Sequence, residues 1–118
     1  MKIIKKIYDC TVVINLNGKL SKSDADYVIQ TLNSYYKKEY KDFVIDMRHV
    51  SHIHYIFGIR LKKFKKYIEN RGGVMNVIVK SPYIMYLLNL SGENWSLYSY
   101  SSQKTALGNI TKFRRKYD

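Results

Sequence analysis

A chain of 118 residues has room for one domain of ordinary size, and it is read as a single domain spanning 1–118. Hydrophobic residues make up 46% of it, with one Pro and six Gly, which excludes a disordered or fibrous chain and provides for a buried core. The net charge of +12, from 21 Lys and Arg against nine Asp and Glu, points to nucleic acid or an anionic membrane surface, although AT-rich coding, which also enriches Ile, Asn and Tyr, would raise it by itself.

The single Cys10 excludes an intramolecular disulfide and a four-cysteine zinc site. Beside the run Val12-Val13-Ile14 it is expected to be a buried, inert thiol. Residues 1–7 alternate charged and apolar side chains and lack the continuous apolar core of a signal peptide. No apolar run approaches the ~20 residues of a membrane span. The expectation is a cytoplasmic protein without membrane insertion.

Strand and helix patterns alternate along the chain. Residues 2–8 and 11–16 read as a strand pair turning at Asp9-Cys10, with Asn17-Gly18 ending the second strand. Ser23 is the expected N-cap of a helix over 24–38, whose Ala25, Val28, Ile29, Leu32, Tyr35 and Tyr36 recur at helical spacing. Residues 42–47 form a short apolar strand. A helix over 57–70 follows, with the apolar stripe Phe57, Leu61, Phe64 and Ile68 and a stop at Arg71-Gly72-Gly73. Residues 74–79 read as a buried strand. Ser81-Pro82 opens a third helix running to Gly92, residues 95–98 a last strand, and Ser101 or Ser102 a C-terminal helix. Strands alternating with helices predict an α/β fold with parallel pairing and right-handed crossovers.

Nine landmarks stand in order along this frame: Leu16-Asn17-Gly18-Lys19-Leu20, Ala25-Asp26, Val44-Ile45-Asp46, Val50-Ser51-His52-Ile53, Arg71-Gly72-Gly73, Val77-Ile78-Val79, Ser81-Pro82, Leu87-Leu88-Asn89-Leu90-Ser91-Gly92 and Ala106-Leu107. In that order the chain resembles the STAS family, the sulphate-transporter and anti-sigma-factor-antagonist domains, over nearly its whole length. The resemblance implies a sheet of about five mostly parallel strands, with an antiparallel N-terminal strand, packed against helices. It also implies a bacterial regulatory domain that binds a protein partner and is not an enzyme. In antagonists of this family an Asp-Ser-Ser-Gly turn holds the serine that a cognate kinase phosphorylates. Here the segment is His54-Tyr55-Ile56-Phe57-Gly58, which places Tyr55 or Ile56 at the acceptor position. Neither is Ser or Thr, so the resemblance leaves Ser/Thr phosphorylation without a target at this turn.

Three groups of residues carry candidate chemistry. His49, His52 and His54 cluster within six residues, and His52 and His54 share a face if extended, yet no cysteine completes a metal site. They read as lining the loop before the second helix, and no metal or cofactor is expected. Asp46 ends a strand, where α/β enzymes keep carboxylates. Neither a phosphate loop nor a Ser-His-Asp set accompanies it, and no small-molecule substrate is expected. The resemblance implies a structural or turn role for Asp46 instead. The second helix is the most informative. Arg60, Lys62, Lys63, Lys65, Lys66 and Arg71 lie off its apolar stripe against the single Glu69, and Lys62 and Lys66 form a like-charge pair. The resemblance implies docking through this helix and the turn before it, and the charge pattern converges with that: the expected docking surface is His54, Tyr55, Ile56, Phe57, Arg60, Lys62, Lys63 and Lys66, facing an acidic partner. The resemblance implies an anti-sigma factor, a kinase or a transporter ATPase as that partner. A second basic patch, Lys112, Arg114, Arg115 and Lys116, keeps nucleic acid as the alternative.

Overall fold

The computed structural model describes residues 1–117. The chain forms β1 (Lys2–Tyr8), β2 (Thr11–Leu20), α1 (Lys22–Lys37), β3 (Asp42–Ile53), α2 (Tyr55–Glu69), β4 (Val74–Ile78), α3 (Pro82–Asn89) and α4 (Gln103–Tyr117), with a 3₁₀ turn at Trp95–Tyr98. The sheet order is β1-β2-β3-β4. β1 runs antiparallel to β2, and the pairs β2–β3 and β3–β4 are parallel.

The continuous apolar runs of β2 and β3 follow from burial on both sides, as parallel strands require. Val12, Ile14, Leu16, Phe43, Ile45 and Met47 point into the larger core, which α1, α2 and α3 complete. Val13, Val44 and Ile78 point the other way, onto Ala106 and Ile110 of α4. The sheet is thus a middle layer between three helices and one.

Local chemistry moves several boundaries from their sequence-based positions. Ser21, not Ser23, caps α1: its hydroxyl accepts from Asp24 N at 3.2 Å while the Asp24 carboxylate accepts from Ser21 N at 3.0 Å. This reciprocal box serves two helix-end donors at once, which Ser23, already the second residue of the helix, cannot do. β2 does not stop at Gly18; the glycine takes φ +101° in an irregular stretch of the ladder, and the strand runs on to Leu20. β3 likewise continues to Ile53, so His49 and His52 lie on a strand and not in a loop. Cys10 is exposed in the hairpin turn, because Asp9 at φ 54° reverses the chain before it can enter the core.

The expected fifth strand is absent among the described residues. Asn94 accepts from Ser96 N at 3.3 Å, and Asn89 accepts from Trp95 N at 2.9 Å, which winds this segment into the 3₁₀ turn with Trp95 buried. Only a parallel bridge between Ser99 and Val77 remains, with Tyr100 N donating to Val77 O at 2.9 Å. No helix of the described residues is long and apolar enough to cross a membrane.

Candidate partner-docking surface

α2 lies with Phe57, Leu61, Phe64 and Ile68 in the core, as the apolar stripe predicts. Opposite them Tyr55, Ile59, Lys63 and Lys66 recur at four- and three-residue spacing and all face solvent, Tyr55 at 60% exposure. Two apolar side chains followed by two ammonium groups make a ridge about 16 Å long at 1.5 Å per residue.

The other cations of α2 are held within the molecule. Arg60 forms an ion pair with Asp26 of α1. Lys62 Nζ donates to Ser91 O beyond the end of α3 at 3.2 Å, which turns it away from Lys66 and relieves their repulsion. Lys65, expected on the solvent face, is 1% exposed; its ammonium meets Glu69 at 2.9 Å and lies 3.5 Å from the centre of the Tyr98 ring. Just beyond the helix, Arg71 sits over the Tyr67 ring. Phe57, expected in the contact surface, is fully buried and belongs to the core. The basic pattern of this helix therefore has three internal anchors and two outward charges, Lys63 and Lys66.

At the entrance to α2 the imidazole of His54 serves as the cap: Nδ1 accepts from Ile56 N at 3.2 Å, and the ring stacks on Tyr55 at 4.7 Å between centroids. Tyr55 is the first residue of α2 and points outward, whereas Ile56 is half-buried against the core. Of the two positions matched to the phospho-acceptor, Tyr55 is the accessible one. His52 shares a 2.7 Å hydrogen bond with the Tyr83 hydroxyl and stacks on its ring. The three histidines do not converge, and among the described residues no group of three His, Cys, Asp or Glu is placed to hold a metal ion.

Asp46 is an internal clamp. Its buried carboxylate accepts from Arg48 Nε and Nη2, at 3.0 and 2.7 Å, and from Gln103 Nε2 of α4 at 3.0 Å. Burial pushes its acid form up, but the Arg48 and Gln103 hydrogen bonds outweigh this and hold the carboxyl below its ordinary range. Arg48 in turn is held even more firmly protonated by that carboxylate. In the C-terminal patch, Arg114 bridges Asp42 and Gly72 O, which ties α4 to the sheet, while Lys112 and Arg115 are exposed.

The exposed Ile59 was not among the expected contact residues, yet the helical period places it between Tyr55 and Lys63. Asp26, Ser91 and Tyr98, which take up three of the cations, had no such signal, since each comes from another element.

No protein-family profile matches the chain, and no curated protein matches it. Several solved structures do. The anti-sigma factor antagonist SpoIIAA in its unphosphorylated form superposes with a TM-score of 0.82 at 13% identity, covering 94% of this chain and 97% of that one. An anti-sigma factor antagonist from Mycobacterium paratuberculosis gives 0.80 at 16% identity, covering 93% of each chain. A sulfate transporter family protein from Wolinella succinogenes gives 0.70 at 19% identity, over 94% of this chain and 93% of that one. The fold is that of the STAS domain, with a four-stranded sheet.

Proposed function

We propose that this chain is a protein-interaction module of the anti-sigma-factor-antagonist kind, acting by docking and not by catalysis. It meets an acidic surface on its partner through the outward ridge of α2. The observation that carries this reading is the exposed stripe Tyr55, Ile59, Lys63 and Lys66. Rigid aromatic and aliphatic anchors supply contact area, and the adjacent cations steer the encounter with a negatively charged partner. Arg60 and Lys62 contribute by fixing α2 against α1 and α3. The antagonists of like fold support a regulatory partner such as an anti-sigma kinase, and the sulfate transporter family protein supports a second reading, non-covalent attachment to a transporter. With Tyr55 and Ile56 at the acceptor position, docking would not be switched by a Ser/Thr kinase at this turn.

The test compares the wild type with Lys63→Glu/Lys66→Glu in a pulldown from nuclease-treated native lysate. Exposed charges contribute little to stability, so the variant should melt with the wild type. It should lose the wild-type partner, mainly through slower association. A folded variant that keeps every wild-type partner overturns the reading.

A further inference from the structure

On the far side of the sheet from α2 lies a second surface, independent of the docking ridge. β1 and α4 together carry eight Lys or Arg, three in β1 and five in α4, and no Asp or Glu; of the three in β1, Lys2 and Lys6 face α4 and Lys5 faces α1 across the sheet. The register puts Lys6 opposite Val13 and Tyr8 opposite Thr11, and Val13 lies in the cluster under α4. Directly opposed residues share a face of the sheet, so Lys2, Ile4, Lys6 and Tyr8 project on the α4 side. All four are exposed, because α4 sits over β3 and β4 and leaves β1 uncovered.

The two basic elements run side by side in one direction. Gln103 at the start of α4 donates to Asn15, the partner of Ile4, at 3.2 Å, while Thr111 and Arg115 share a depression with Tyr8 and Thr11. That depression holds about 670 Å³. Three acids lie at its hairpin end, Asp9, Glu39 and Asp42, of which Asp42 is paired with Arg114.

We infer that this open-sided β1–α4 groove binds single-stranded nucleic acid, with phosphates on Lys2, Lys6 and the exposed cations of α4 and a base on the Tyr8 ring. β1 is the edge strand of the sheet, so α4 is the one wall and the outer side is open. The exposed cations of the two elements complement an extended polyanion, and cations flanking an exposed aromatic ring are the arrangement that tracks a sugar-phosphate chain while stacking its bases.

The experiment measures fluorescence anisotropy of a labelled oligothymidylate of about a dozen nucleotides against the purified, nuclease-treated full chain across a salt series. Binding should weaken linearly in log–log salt, with a slope of about −0.7 per phosphate neutralised. Lys6→Glu/Arg115→Glu should bind at least about tenfold more weakly and with a shallower slope. Tyr8→Ala should lose roughly five- to a hundredfold, the worth of one stacked base. Lys63→Glu/Lys66→Glu on α2 has the same net charge as the groove variant and should leave binding nearly unchanged. If a reversal unsettles folding, as a thermal melt would show, Lys6→Gln/Arg115→Gln carries the same test. Equal losses in the groove and α2 variants would mean that only overall charge acts, and would overturn the inference. So would equal affinity for the duplex, or tighter binding to polyglutamate or to phosphatidylserine vesicles than to the oligonucleotide.

Discussion

Gly73 and Gly108 show how a single added methyl can act in opposite directions. A Cβ on Gly73 would run into Lys41 O and stand 2.9 Å from Ile68 O. Both are backbone atoms, and Gly73 N already donates to Ile68 O at 2.8 Å, so the neighbours have no route of retreat. Gly73→Ala should therefore destabilise by roughly 1–3 kcal/mol, as overpacking does. Gly108 lies inside α4 with nothing within 4 Å of the same position, so Gly108→Ala should stabilise by about 1 kcal/mol through helix propensity alone. Urea midpoints of the two variants should fall on opposite sides of the wild type; the reverse order would contradict the packing described for both sites. The sequence marks Gly72-Gly73 only as a helix stop. That Gly73 must also admit the Lys41 carbonyl depends on how β3 approaches α2, which no local pattern encodes.

At the scale of elements, α2 separates what periodicity reveals from what it hides. Its core stripe was legible because helical spacing and burial report the same face. Phe64 sits in that stripe, edge-on to Phe43 at 5.3 Å and to Tyr36 at 6.3 Å. Phe64→Ala should cost roughly 3–5 kcal/mol, the range for emptying a buried aromatic site. Thermal melting would check it, and an unchanged midpoint would place Phe64 outside the core. The charges of the same helix were legible only as an excess of one sign. Their partners Asp26, Ser91 and Tyr98 come from α1, from beyond α3 and from the 3₁₀ turn, so the sequence spacing could not identify Lys65 as buried. The expected fifth strand failed for a local reason instead: Asn89 and Asn94 supply side-chain acceptors that favour a tight turn over an extended segment.

At the scale of the whole molecule, the α/β layering and the STAS-like order of landmarks were readable, since nearly every helix and strand announces itself by its own period. The distribution of the +12 charge was not, because it depends on which cations find carboxylates across the fold. Carboxylates held by hydrogen bonds inside the fold set the acid limit of stability. Asp46 is held below its ordinary range despite burial by Arg48 and Gln103, and Asp24 by the Ser21 backbone N–H that closes the α1 cap. A carboxyl whose folded value is depressed contributes stability that is fully present above its unfolded value, about 3.9, and is lost as pH falls through the folded one. Stability should thus hold from neutrality to about pH 5 and decline below about pH 4. In that range each protonated carboxylate also adds to the self-repulsion of a chain already strongly positive. Asp46→Asn keeps an acceptor for Gln103 but gives up the charge facing Arg48, so it should be less stable than the wild type at neutral pH by roughly 1–3 kcal/mol. It should also have a shallower acid limb, because one of the depressed groups no longer titrates. Urea unfolding at a series of pH values resolves both effects. If the variant and the wild type lose stability in parallel below pH 4, the Asp46–Arg48–Gln103 clamp is not what sets the acid limit.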